Sequence, residues 1–243
     1  MRRRGLLVLV AGLPVAGCTG PAGDSPPAAP APTTGSPAPS TRSGRLWGAR
    51  ATPAVATDYT WLVEDPKFSG LGFSLTWLRG VAPAEFARRL GARAGQVHPW
   101  DSLPEPGEDD ALLAITDTGD WSLLVEYNGF VAIEDELMQS LSAGTRLISN
   151  YCNVESDSRF VLVEDGTIVA DFDPTYPARV YGSAPDRIRT EMAGLGFDDT
   201  PRRDYTEAAL VLTERLTGVP LTEQNLRGSD YLAAAVRDPY GGR

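Results

Sequence analysis

A single histidine, His98, limits the chemistry open to this chain. Catalysis by a Ser-His-Asp or Cys-His arrangement would have to run through it, because the imidazole is the base that takes the nucleophile's proton. No Gly-x-Ser-x-Gly elbow accompanies it, and Val97-His98-Pro99-Trp100 reads as a proline-rich, exposed loop. Zinc asks for three or four nitrogen or sulfur ligands; one histidine and one thiol beyond Cys18 fall short of a structural site. Gly70-Leu71-Gly72 and Gly194-Leu195-Gly196 lack the lysine and spacing that cradle phosphate, and the second reads as a helix end followed by a turn. Carboxylates remain. Asp171 and Asp173 stand two apart at a predicted strand end, so both share a face before Pro174 turns the chain. Such a pair suits calcium or acid–base work and supplies the candidate catalytic residues. Calcium, however, takes six or more oxygens and Asp-x-Asp-x-Asp-Gly is absent, so the competing reading is a turn in which Asp173 accepts from backbone amides. No metal and no cofactor is implied.

Glu108-Asp109-Asp110 and Glu134-Asp135-Glu136 read as solvated acidic stretches, the second well placed at a helix start. Arg146, Arg159, Arg179 and Arg187 are available to pair with the acids. Among the aromatics, Trp77 and Trp121 fall in predicted strands and belong to the core. Trp100, Tyr176 and Tyr181 fall in loops and are the candidate residues of an exposed recognition surface.

The elements that position these residues follow from periodicity and punctuation. A strand is expected at 73–78, then a helix at 83–90 opened by Pro83 and closed by Gly91. Residues 94–110 read as a polar loop. Strands at 112–116 and 121–127 join across Asp117-Thr118-Gly119-Asp120. A helix at 134–141 ends at Gly144, and a strand follows at 146–152, holding Cys152 in an apolar run that reads as a buried, inert thiol. Strands at 160–164 and 167–172 pair around Asp165-Gly166, the strongest hairpin signal present. Helices are expected at 186–193, 205–216, 222–226 and 231–236. The pattern predicts an α+β domain: a mainly antiparallel sheet of about five or six strands, short helices between strands and a helical C-terminal third.

From Trp61 to about Leu226 the landmarks run in a recognisable order. They are Leu78-Arg79-Gly80, Ala87-Arg88-Arg89-Leu90-Gly91-Ala92, Gly119-Asp120-Trp121, Glu126-Tyr127-Asn128-Gly129 and Leu141-Ser142-Ala143-Gly144-Thr145. Asp171-Phe172-Asp173-Pro174, Tyr181-Gly182-Ser183, Gly194-Leu195-Gly196-Phe197-Asp198 and Arg215-Leu216-Thr217-Gly218-Val219 complete the series. This order resembles an uncharacterised domain family of unknown function common in actinobacterial proteins. The resemblance implies the domain and no activity.

The N-terminus carries a second resemblance. Arg2, Arg3 and Arg4 precede an apolar stretch over 6–15 that is too short to span a bilayer, and Pro14-Val15-Ala16-Gly17-Cys18 closes it with small residues before a cysteine. This resembles a bacterial lipoprotein signal. It implies cleavage before Cys18, lipidation at that sulfur and stable attachment, since two acyl chains hold a membrane where one does so only marginally. Residues 1–17 are then the signal, 18–57 the lipidated cysteine and a tether, and 58–243 a single domain. The tether reading rests on seven prolines, two charged residues and no aromatic between Thr19 and Ser43. About 35 such residues span roughly 30 Å as a coil and on the order of 100 Å as extended polyproline.

Loss of residues 1–17 removes three arginines and no acids, taking the net charge from −10 to −13. So acidic a body excludes nucleic acid as a partner. With Cys18 lipidated, Cys152 has no intramolecular partner. The expected location is the outer face of the cell membrane, and the expected partners are the membrane, through Cys18, and a protein or cell-surface ligand. A non-enzymatic binding module is the first reading; a protein that neutralises a basic partner, and a hydrolase using Asp171, Asp173 or a neighbouring Glu, are the alternatives. No feature sets an oligomeric state.

Overall fold

Strands β1 (Phe73–Arg79) and β4 (Trp121–Tyr127) are buried along almost their whole length on both sides, so the sheet that contains them must be covered on both faces. The computed structural model describes residues 46–92, 95–127, 129–155, 157–197 and 205–239. The leader 1–17, Cys18 and the tether up to residue 45 lie outside the described residues.

Within these, three short helices precede the first connections: α1 (Thr60–Glu64), α2 (Pro66–Leu71) and, after β1, α3 (Pro83–Arg89). Next come β2 (Gln96–Pro99), a 3₁₀ turn at Trp100–Ser102, β3 (Asp110–Asp117) and β4, then a turn at Val131–Ile133 and α4 (Asp135–Leu141). Strands β5 (Arg146–Cys152), β6 (Ser158–Glu164) and β7 (Thr167–Phe172) follow, then α5 (Pro185–Met192), α6 (Tyr205–Thr217), α7 (Glu223–Gly228) and β8 (Asp230–Arg237). All eight strands join one antiparallel sheet in the order β2-β8-β3-β4-β1-β5-β6-β7.

One face packs Leu75, Trp77, Leu123 and Ile148 against Trp47, Tyr59, Leu62 and the helices α5 to α7, with Leu212 and Leu226 sealed inside. The other packs Leu78, Leu124, Leu147 and Val161 under Phe86 of α3 and Met138 and Leu141 of α4. Each fully buried Leu or Phe contributes roughly 1.5–3 kcal/mol, so two such clusters supply most of the driving force. Trp47 lies within the stretch assigned to the tether. It is 4 % exposed, and its indole N–H donates to Ser229 Oγ at 2.9 Å.

Asp165 (φ 46°) and Gly166 (φ 74°) both adopt the left-handed region, the geometry a two-residue hairpin matched to strand twist requires. Three expectations need correction. The sheet has eight strands, not five or six, and residues 231–236, expected to be helical, form the body of β8. Ala233, Ala234 and Ala235 favour a helix locally, but β8 is inserted between β2 and β3, and pairing of Ala233 with both and of Ala234 and Ala235 with β3 overrides propensity. Small side chains suit that position: a Cβ at Gly95 would lie 2.3 Å from the Ala233 carbonyl oxygen, so the backbones approach closely here. The stretch expected as a polar loop, 94–110, contains β2 at the sheet edge. No helix among the described residues is long and apolar enough to cross a membrane.

Candidate functional site

The ladder between β3 and β4 stops at Ala114↔Val125. Beyond that point β3 stays with β8 as far as Asp110↔Arg237, while β4 stays with β1 as far as Tyr127↔Phe73. The sheet therefore forks, and the fork holds a cleft of about 560 Å³. Asp110, Ala111, Leu112 and Ala114 of β3 form one wall, and Val125, Glu126 and Tyr127 of β4 the other. Because side chains alternate across a sheet, the cleft draws on both layers: Trp100 and Tyr127 come from the first, Phe130 from the second.

An aromatic cluster makes the floor. Trp100 lies 5.4 Å from Tyr231 and 6.3 Å from Tyr127, ring centre to ring centre, and Phe68 stands 5.2 Å from Tyr127. The rim is charged. Asp65 caps the first turn of α2 through the Lys67 amide and pairs with Arg227, which also reaches Glu223 at 3.0 Å. The Lys67 ammonium stands 5.8 Å from the Tyr127 ring centre.

Glu126 is the unusual group. It occupies the strand face that also carries Leu124, pairs in register with Ser74, and is 2 % exposed. Its Oε1 accepts from the Phe130 N–H at 3.3 Å, tying the turn after β4 back to the strand. Its Oε2 is buried without a hydrogen-bond partner. Burial pushes the carboxyl from its ordinary 4.5 up to about 7, while the neighbouring Ser74 hydroxyl and the Phe130 and Val131 amides pull it the other way. Gly129 packs directly on it: a Cβ there would lie 2.4 Å from Glu126 Cβ and 2.8 Å from Oε2. A buried acid that titrates near neutrality in a cleft wall is what ligand recognition or proton transfer uses and what folding alone disfavours.

The residues expected from sequence lie elsewhere, with one exception. Trp100 was expected on an exposed surface; it is 8 % exposed, and its ring forms the cleft floor. Tyr176 and Tyr181 are exposed, at 62 % and 65 %. Tyr181 bridges to Asp171 through a pair of backbone hydrogen bonds, and Arg179 stands over the Tyr176 ring at 5.8 Å.

Asp171 and Asp173 both border a shallow, open hollow of about 460 Å³ beside Tyr181. Neither carboxylate is free to act in it. Arg159 clamps Asp171 with two hydrogen bonds, at 3.0 and 2.7 Å, and also holds Asp135 at 2.6 Å. Asp173 Oδ1 accepts from the Thr175 amide and hydroxyl, both at 2.7 Å, which is the turn geometry weighed against catalysis. Arg146 and Arg187 converge on Glu164 at 2.7 and 2.8 Å. His98 is half-buried in β2, opposite Tyr231, in a strand and not a loop. Cys152 is a free, half-buried thiol. Among the described residues no three His, Cys, Asp or Glu side chains group to hold a metal ion.

Sequence reasoning missed Glu126 and the fork. At period two Glu126 shares its strand face with Ser122 and Leu124, opposite Trp121, Leu123 and Val125, so the pattern reads as a polar side and hides the burial that Phe130 and the second layer impose. The model of a family of unknown function, DUF6461, matches residues 52–240, a wider span than the 61–226 of the sequence landmarks. No curated protein and no solved structure matches the chain.

Proposed function

We propose a function for this chain, which belongs to the DUF6461 family of unknown function: it is a lipid-anchored extracytoplasmic binding protein that holds a small organic ligand in the fork between β3 and β4. The observation that carries the reading is the cleft. Its volume of about 560 Å³ lies in the range of small-molecule sites, and its lining follows their pattern of an apolar, aromatic floor with a few placed polar groups. Glu126 strengthens it, because an acid kept at a pKa of about 7 disfavours the fold at neutral pH and is best understood as retained for a ligand. The clamped state of Asp171 and the turn role of Asp173 speak against the carboxylate hydrolase.

The anchoring half rests on the ordered basic flank, apolar stretch and small residues ahead of Cys18. Two acyl chains on that sulfur would hold the protein at the outer face of the membrane, and the proline-rich stretch behind it would give the domain reach.

Each half has its own test. Mass spectrometry of protein extracted from membranes should find an N-terminal Cys18 peptide carrying a diacylglyceryl group, and Cys18→Ser should move the protein to the soluble fraction. An unmodified Cys18, or an unchanged membrane fraction, contradicts the anchor. For the cleft, the full chain with Cys18→Ser is screened by thermal shift against small organic compounds, alone and with Leu112→Trp to fill the fork. A ligand that raises Tm only when the fork is open supports the reading. A library without a hit, or equal shifts in the filled variant, contradicts it.

A further inference from the structure

We infer that the ligand held in the fork is an organic ammonium with an apolar body, its nitrogen received by Glu126 and its body by the Trp100 and Tyr127 rings. The inference rests on the fork being a binding site and deepens that reading to a chemical class.

The charge around the cleft sets the sign. Among the described residues that line it, six are acids, Asp65, Asp101, Glu105, Asp110, Glu126 and Asp238, and two are bases, Lys67 and Arg227. Arg227 is paired with Asp65 and Glu223, Lys67 stands over the Tyr127 ring, and Asp110 and Asp238 have contacts of their own, so the sign rests on Asp101, Glu105 and Glu126. An anion entering the fork would meet an excess of carboxylates, and a cation would meet their attraction in a partly desolvated space.

An acidic rim alone specifies nothing; Glu126 is the independent observation. Its Oε2 is buried and makes no hydrogen bond of normal geometry, even with the Ser74 hydroxyl beside it, and it belongs to a residue of the cleft wall. A buried acceptor left unmatched bears its full desolvation penalty, and an N–H donor from a ligand removes that penalty. An ammonium does so with a charge-assisted bond and favours the ionised acid. Gly129 has no side chain to intervene, and any Cβ there would collide with Glu126.

The floor fits the same class. Trp100 and Tyr127 offer ring area to the apolar body, and Lys67 Nζ, 5.8 Å from the Tyr127 ring centre, competes for that face. Leu112, Leu103 and Phe130 supply apolar surface for the body of the ligand. The volume limits that body to a small molecule.

Isothermal titration of the full chain with Cys18→Ser tests this, using three probes of one shape: 2-phenylethylammonium, 2-phenylethanol and 3-phenylpropionate. The ammonium is expected to bind and the other two to bind at least about tenfold more weakly. Glu126→Gln should weaken the ammonium roughly 10- to 100-fold, the range for losing a charged hydrogen bond, and leave the alcohol unchanged. Because a core variant can misfold, two exposed rim variants accompany it. Glu105→Gln should weaken the ammonium several-fold, and Lys67→Gln, which frees the Tyr127 face, should tighten it several-fold. If the alcohol or the carboxylate binds as tightly as the ammonium, the ammonium inference falls and the fork remains a binding site. Unchanged ammonium affinity in folded Glu126→Gln, or weaker binding in Lys67→Gln, also overturns it. If no probe of any charge binds, both readings fall.

Discussion

Glu126 sets the pH behaviour at the scale of the residue. Its carboxyl rises from 4.5 in the open chain to about 7 in the fold, so the folded state holds the proton more tightly. The sign follows from linkage: the group's favourable contribution is complete below about pH 4.5 and is lost as pH climbs toward about 7. Glu126→Gln keeps the shape without the ionisation. It should leave stability little changed at pH 4.5 and raise it by about 3 kcal/mol at pH 8, measured by denaturant unfolding at the two pH values. An equal effect at both would show that the acid is not held neutral by the fold. Gly129→Ala makes the complementary prediction. The added Cβ meets Glu126 at 2.4 Å, which should cost about 1–3 kcal/mol by overpacking and lower Tm accordingly.

At the scale of elements, the decisive one is β8. Inserted between β2 and β3, it holds β3 away from the end of β4 and so makes the fork. Gly95→Ala should test this edge, because its Cβ would lie 2.3 Å from the Ala233 carbonyl. We expect β2 to detach locally, read as faster hydrogen exchange at Val97 and Leu232, with the β5–β6–β7 half unchanged. Local signals were legible in sequence wherever they act alone. Strands β4, β5 and β7 and the Asp165-Gly166 turn lie where pattern and turn chemistry place them, since adjacent segments pair through short connections. Strand β8 was not legible, because its alanines favour a helix and only distant partners make it extended. The fork was hidden for the same reason: it is the difference between two long-range registers. Asp171 and Asp173 were found at a strand end as expected, but spacing cannot reveal that Arg159 lies twelve residues back across the β6–β7 hairpin and clamps one of them.

For the whole molecule, the central question is where the domain meets its partner and how it is presented. Trp47 is the first buried side chain of the described N-terminal stretch, packed behind Leu46 and bonded to Ser229 at 2.9 Å. Trp47→Ala should cost about 3–5 kcal/mol, the range for deleting a large buried aromatic, measurable as a fall in Tm of the full chain. A shift within error would mean the indole rests on the surface without holding it. The account as a whole stands on the fork, and backbone amide shift mapping tests it most directly. The deuterated full chain with Cys18→Ser would be titrated with 2-phenylethylammonium and followed by amide nitrogen–proton correlation spectra. The account predicts shifts concentrated at residues 111–114 and 125–130 and at Trp100, with Tyr176 and Tyr181 unmoved. Shifts centred on residues 171–181, or none in the fork at saturating probe, would contradict it.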